Sequence, residues 1–246
     1  MSPRIRIYVG AYGSGKSEIA LETALQWAKT REKVAIADLD LVNPYFRSRE
    51  SLTELARAGV ELLAPPGPLA GADLPIIVPQ VRGAIEDPSK HLILDVGGDD
   101  AGSRALGTLA PYVEGQPWEL WMVVNNYRPF TSDLEGLRAT IERVEGSARL
   151  KVTHLVANPN LGPDTDRDLV EAGAARIAGF AEALGVPLGA VVMTADIADQ
   201  MGVTELYGVP VIRLSRRLAP AWYEDPSRLS DSRDRRAQLI KPPLMR

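Results

Sequence analysis

Eight residues near the start of the chain, Gly10-Ala-Tyr-Gly-Ser-Gly-Lys-Ser17, carry the types and spacing needed to hold a phosphate chain. Glycines at 10, 13 and 15 let backbone N–H groups converge on anionic oxygens with no Cβ in the way. Lys16 adds a cation that reaches terminal phosphates, and Ser17 supplies a hydroxyl suited to a divalent cation. The flanks suit this chemistry. Arg4 to Val9 is short, alternating and rich in β-branched residues, so it reads as a strand. Glu18 to Lys29 has apolar residues at Ile19, Ala20, Leu21, Ala24, Leu25, Trp27 and Ala28, the pattern of a helix packed on a sheet. A strand feeding a glycine turn and then a helix aims the positive helix end at the bound anion.

A second group of candidates follows from where apolar runs end. In sheets with helices on both faces, ligands bind beyond the carboxyl ends of the strands. The polar residues at those ends are Asp38 and Asp40, Asp95, Asn125 and Asn126, Asn158, and Thr194 with Asp196. Asp95 closes the run Leu92-Ile-Leu and precedes Gly97 and Gly98, which suits a carboxylate holding Mg²⁺ followed by a segment that senses the terminal phosphate. Its alternative role is to cap a helix from Ala101 onward. Asp38 and Asp40 lie two residues apart, so an extended segment points both the same way. Such a pair repels unless a metal, Lys16 or water stabilises it. Asp40 is read as orienting an attacking water and Asp38 as supporting the metal, the alternative for Asp38 being a cap for the helix after Pro44.

The elements that must position these residues alternate along the chain. Strands are expected at about 33–38, 60–64, 92–98, 120–124, 152–157, 188–193 and 209–214, with helices to about Ala58 and over 78–85, 131–144 and 166–184. Thr131 or Ser132 is the expected cap of the third of these helices, and Ile197 to Leu206 is a short helix or turn. The Pro/Gly-rich stretch from Pro65 to Pro75 is loop. The fold class is therefore α/β: a doubly wound, mainly parallel sheet with helices on both faces, in three layers. Residues 1–214 form the ligand-binding domain. Residues 215–246 form a helical or extended tail, and its stretch from Arg228 to Arg246, with six basic residues against Asp231 and Asp234, is either a solvated helix or a partner-binding arm.

Composition narrows the chemistry. The chain has 246 residues, 45% of them hydrophobic and 24% charged, with a formal net charge of -4. That balance suits a soluble domain and argues against nucleic acid as the main partner. Cysteine is absent, which excludes thiolate metal sites, thiol catalysis and disulfides. The two histidines, His91 and His154, each stand before an apolar strand and read as structural. No apolar run is long enough for a membrane span and no signal-peptide pattern opens the chain, so a cytoplasmic location is expected.

The glycine loop, the Asp38-x-Asp40 pair and the strand ending Asp95-Val-Gly-Gly98 together resemble the SIMIBI class of P-loop NTPases. That class includes the MinD and ParA partition ATPases, the nitrogenase iron protein, the arsenite-pump ATPases and the dethiobiotin-synthetase and cobyrinic-acid-amidase group. By order of elements the resemblance spans about residues 4–214. It implies a Mg-ATP-binding protein, an ATPase acting as a nucleotide-dependent switch on a protein partner. The alternatives are an ATP-dependent transferase or ligase for a small-molecule substrate and a nucleotide-binding module that does not hydrolyse. Carried over onto this chain, Lys16 and Asp40 are catalytic. Gly10, Gly13, Ser14, Gly15, Lys16, Ser17 and Asn158 bind the nucleotide, and Ser17, Asp38 and Asp95 hold the metal. Asn158, in Val156-Ala-Asn-Pro-Asn160, resembles the class's adenine reader. The absence of an Asp at 161 favours ATP over GTP. Ala11 departs from the partition branch, which has a dimer-bridging lysine there, so a homodimer stays open; Arg47, Arg49 and Arg104 are candidate substitutes. Tyr45 and Phe46, beside Arg47 and Arg49, suggest a substrate or partner contact.

Overall fold

The computed structural model describes residues 3–39, 49–63, 77–98 and 100–215. Asp40, the Tyr45–Arg47 cluster, the loop from Pro65 to Pro75 and the basic tail from Arg228 lie outside the described residues. Among those described, β1 (Ile5–Val9), β2 (Val34–Asp38), β3 (Glu61–Leu63), β4 (His91–Asp95), β5 (Trp118–Val124), β6 (His154–Ala157), β7 (Leu188–Thr194), β8 (Glu205–Leu206) and β9 (Val209–Leu214) form a single sheet in the order β3-β2-β4-β1-β5-β6-β7-β9-β8. Every pairing is parallel except β8 with β9, a terminal hairpin. The helices are α1 (Lys16–Ala28), α2 (Arg49–Arg57), α3 (Ile77–Glu86), α4 (Asp100–Val113), α5 (Leu134–Ala148), α6 (Arg167–Leu184) and α7 (Ala195–Met201).

The central strands are apolar on both faces because helix layers cover both. Ile5, Ile7, Leu92, Leu94, Leu120, Met122 and Leu155 pack on one side with residues of α3 to α7. Tyr8, Ile36, Ile93, Trp121, Val123 and Val156 pack on the other with α1 and Leu55 of α2. The expected doubly wound α/β architecture is present. No described helix is long and apolar enough to cross a membrane.

Three local expectations change. The stretch 100–113, given no element of its own beyond the Asp95-cap alternative, is helix α4. Its glycines and Pro111 lower helix propensity, but tertiary packing overrides this. At Gly107 an added Cβ would run into the Ser147 carbonyl of α5, so the two helices touch backbone to side-chain-free backbone. The cap of α5 is Asp133, accepting from the Gly136 N–H at 2.8 Å, and not Thr131 or Ser132. Thr131 is buried and donates instead to the Asn125 carbonyl at 2.6 Å. The last helix is shorter than the sequence suggests, ending at Met201 because Gly202 takes a left-handed φ of 64° that closes it.

At the amino ends of the strands, cations stack on indoles. The Arg6 guanidinium lies 3.8 Å from the Trp121 ring and pairs with Glu119 at 2.8 Å; Arg31 lies 3.8 Å from the Trp27 ring. His91 packs edge-on against Trp27, and His154 lies tilted against Trp121. Burial holds both imidazoles below their ordinary pKa of 6.5; Arg31 and Arg4 push the same way at His91, while at His154 Glu119 opposes the shift and Arg6 adds to it. The folded state therefore binds fewer protons than the unfolded state in this window. The histidine contribution is fully present above about pH 6.5 and is lost as pH falls below that value. Urea unfolding at stepped pH should show stability dropping from neutral pH into the mildly acidic range, with a shallower drop for His154→Gln. Separately, Gly107→Ala should cost about 1–3 kcal/mol by forcing α4 from α5, read as an earlier urea midpoint.

Candidate nucleotide site

The glycine loop joins β1 to α1, and the structure shows why only small residues serve there. Gly15 takes φ 88° at the helix N-cap, with no side chain capping the first turn, so the helix's positive end stays open to a ligand. Gly13 takes φ 73°. A Cβ on Gly10 would stand 2.6 Å from Ser14 Oγ and 2.8 Å from the Val123 carbonyl of β5. A Cβ on Gly98, just past β4, would overlap the Gly10 carbonyl. The loop is thus gripped by the backbone on either side.

Strand register then sets the acidic residues. Tyr8 is level with Asp95 across β1 and β4, and Asp38 is level with Asp95 across β2 and β4. In-register residues of parallel strands point to the same face, so both carboxylates look toward α1. Ser17, in the first turn of α1, donates to Asp95 Oδ2 at 2.6 Å. Lys16, Ser17, Asp38 and Asp95 are all at most 7% exposed. Asp95 is therefore seated at the loop, bonded to Ser17. The hydroxyl and the two carboxylates are hard oxygen donors of the kind Mg²⁺ takes alongside phosphate oxygens. Among the described residues, the buried Ser14 Oγ has no hydrogen-bond partner, which leaves a polar atom in mid-loop for a ligand to satisfy.

Asn158, at the end of β6, lies on the loop itself. Its amide donates to the Ser14 carbonyl at 2.6 Å, and a Cβ on Gly15 would overlap the same amide nitrogen. Asn125 ties the turn after β5, accepting from the Tyr127 N–H at 3.0 Å and donating to the Asn160 carbonyl at 2.8 Å. Thr194 ends β7 as the N-cap residue of α7, three strands from β1. The structure thus brings the loop, Asp38, Asp95 and Asn158 together and leaves Thr194 and Asp196 at a separate helix start. One residue at the loop has no counterpart among the sequence candidates. Arg128 donates through Nε to the Gly13 carbonyl at 3.2 Å. The signal available for it was a cation just after the paired asparagines at a strand end.

Solved structures share this fold. The chloroplast FtsY of Physcomitrella patens aligns at TM-score 0.53 and 19% identity over 78% of this chain and 59% of that one. The signal recognition particle receptor FtsY of Elizabethkingia anophelis aligns at 0.57 and 16% over 85% and 62%. The chain has the fold of SIMIBI-class P-loop NTPases. A third neighbour, the signal recognition particle 54 kDa protein of Aeropyrum pernix in complex with GDP, aligns at 0.51 and 18% over 76% and 41%. At these identities the likeness concerns the fold, and this chain spans about 60% of the length of the two FtsY structures. No protein-family model and no curated protein matches it.

Two glycine substitutions separate the constraints on the loop. Gly15→Ala should destabilise by about 2 kcal/mol, from its positive φ and the collision with Asn158. Adding Asn158→Ala should recover the steric part only. Gly98→Ala meets a backbone carbonyl, so trimming Asn158 should not relieve it. Thermal melts of the single and double variants check both.

Proposed function

We propose that this protein is a Mg²⁺-dependent nucleoside triphosphatase whose nucleotide state sets its contact with a protein partner. The observation that carries the reading is the 2.6 Å Ser17–Asp95 hydrogen bond, at the mouth of a glycine loop that also holds Lys16. Ser17, Asp38 and Asp95, all buried, supply oxygen donors for a divalent cation, and Lys16 supplies positive charge for the phosphate chain that enters with it. The unbonded Ser14 hydroxyl supports the same fit.

In this reading Gly10, Gly13, Ser14 and Gly15 wrap the phosphates with backbone and hydroxyl donors, and Lys16 neutralises the terminal phosphates. Ser17 and Asp95 hold the metal, with Asp38 beside them. Bound Mg²⁺ supplies electrostatic stabilisation of the charge that develops on the transferred phosphoryl group. Asp40, two residues beyond Asp38, orients the attacking water. Gly98, wedged against Gly10, gives the loop a mechanical connection to α4, which begins two residues later. That connection supports a switch over a simple binding module.

For the base, the sequence Asn158-Pro-Asn-Leu161 has no carboxylate to accept from the guanine exocyclic amine, which supports ATP. A GTP reading is supported by the GDP in the Aeropyrum pernix neighbour and in an Elizabethkingia anophelis FtsY structure.

Calorimetry with ATP and with GTP, each with Mg²⁺, tests these points. Wild type should bind a triphosphate and release phosphate. Lys16→Ala should weaken binding at least about tenfold, the loss of a charge-assisted contact. Asp95→Asn should abolish the Mg²⁺ dependence of hydrolysis. ATP should compete out GTP; the reverse order assigns guanine. Absence of binding heat with either nucleotide overturns the proposal.

A further inference from the structure

We propose that Arg128 is the second cation of the phosphate site, delivered in cis from the turn after β5 and anchored on the loop at Gly13. The inference rests on the loop binding nucleotide phosphates and assigns a role to a residue outside the glycine motif.

The turn that carries Arg128 is firmly built. Arg128 N–H donates to the Asn125 carbonyl at 3.0 Å, and Thr131 N–H donates to the Arg128 carbonyl at 3.1 Å. Thr131 Oγ1 bonds the Asn125 carbonyl, Asn125 reaches across to Asn160, and the Tyr127 hydroxyl bonds the Leu169 carbonyl of α6 at 3.1 Å. Pro129 starts a single 3₁₀ turn directly after it. Both backbone neighbours of Arg128 are therefore held, which aims one side chain at the loop from 115 residues away in sequence.

What that side chain does at the loop is small for so much scaffolding. Of its five N–H donors, one hydrogen bond is made among the described residues, Nε to the Gly13 carbonyl at 3.2 Å. No described carboxylate pairs with it, whereas Arg6, Arg82, Arg167 and Arg213 each have one. The guanidinium carbon and Nη2 lie 3.4 and 3.6 Å from the point where a Gly13 Cβ would stand. The plane thus rests on the loop's side-chain-free surface with its terminal nitrogens available. A planar fork with four remaining donors and no counter-ion, held against an anion-binding turn, matches the geometry of phosphate oxygens. Bracing the loop is the competing role, and one neutral donor would serve it as well.

The test separates charge from bracing. Arg128→Gln keeps an amide donor for the Gly13 carbonyl and removes the charge; Arg128→Lys keeps charge and donor; Arg128→Ala removes both. Affinities for magnesium tripolyphosphate, which has no base or sugar, and for the nucleoside triphosphate are measured by calorimetry at about 0.1 M salt, where screening is moderate. Melting temperatures without ligand confirm that each variant folds. The expected result is weakening of about tenfold for Gln and Ala with both ligands, with Lys close to wild type. The gap should narrow as salt is raised. Gln binding tripolyphosphate like wild type overturns the proposal in favour of bracing. Weakening for the nucleotide but not for tripolyphosphate overturns it in favour of a base or sugar contact. The underlying reading is judged separately by wild type against Lys16→Ala with tripolyphosphate. If wild type itself binds nothing, both fall; if only the Arg128 variants match wild type, this inference alone falls.

Discussion

The hydrogen bond from Ser17 to Asp95 joins the first turn of a helix to the end of the strand beside the one that leads into it. Both partners are buried, so the bond is strong in its low-dielectric surroundings and would be costly to break without a substitute. It fixes where the helix begins relative to the sheet. The direction of the helix dipole, the height of Lys16 and the position of Asp38 beside Asp95 all follow from that one registration.

The loop is held by contacts that leave no room for compliance. Gly98 abuts Gly10, Gly10 abuts the Val123 carbonyl, and the Asn158 amide fills the space over Gly15. Each neighbour belongs to a different strand end: β4, β5 and β6. Close-packed backbone does not compress, so any change in loop shape has to be taken up by at least one of those segments. The segment after β4 leads into α4, so a change in loop shape taken up there is passed to the start of that helix.

At the opposite end of the sheet, stability is built from different material. Arg6 and Arg31 lie over indole rings and Glu119 bonds both Arg6 and Trp121, while nearer the loop the Tyr8 hydroxyl bonds Thr23 of α1 at 2.8 Å. Gly189 on β7 leaves space that the Trp121 ring fills at 3.2 Å from its would-be Cβ. Helix α1 is thus fastened along its length, by the loop at its start and by aromatic and cationic contacts nearer its end at Trp27. These contacts at both ends fix where Lys16 and Ser17 stand at the start of α1.

The amino-acid sequence by itself determined the alternation of strands and helices, the glycine loop with Lys16 and Ser17, and the carboxylate that ends β4. Each of these is local: an apolar run has a period, a loop has a spacing, and a strand has a last residue. Helix α4 escaped because its glycines disfavour a helix locally, and only packing against α5 makes them useful. The α5 cap lies one or two residues beyond the expected Thr131 or Ser132 because three adjacent side chains can all cap, and burial of Thr131 against Asn125 leaves the role to Asp133. The tertiary structure alone decided that Asp38 and Asp95 share a level, that Asn158 rests on the loop, and that Arg128 reaches Gly13. These depend on strand order, β2-β4-β1-β5-β6, which brings residues more than a hundred positions apart to one edge. No spacing within a single element encodes that order; it is set by which helices can cross which strands without leaving apolar surface uncovered.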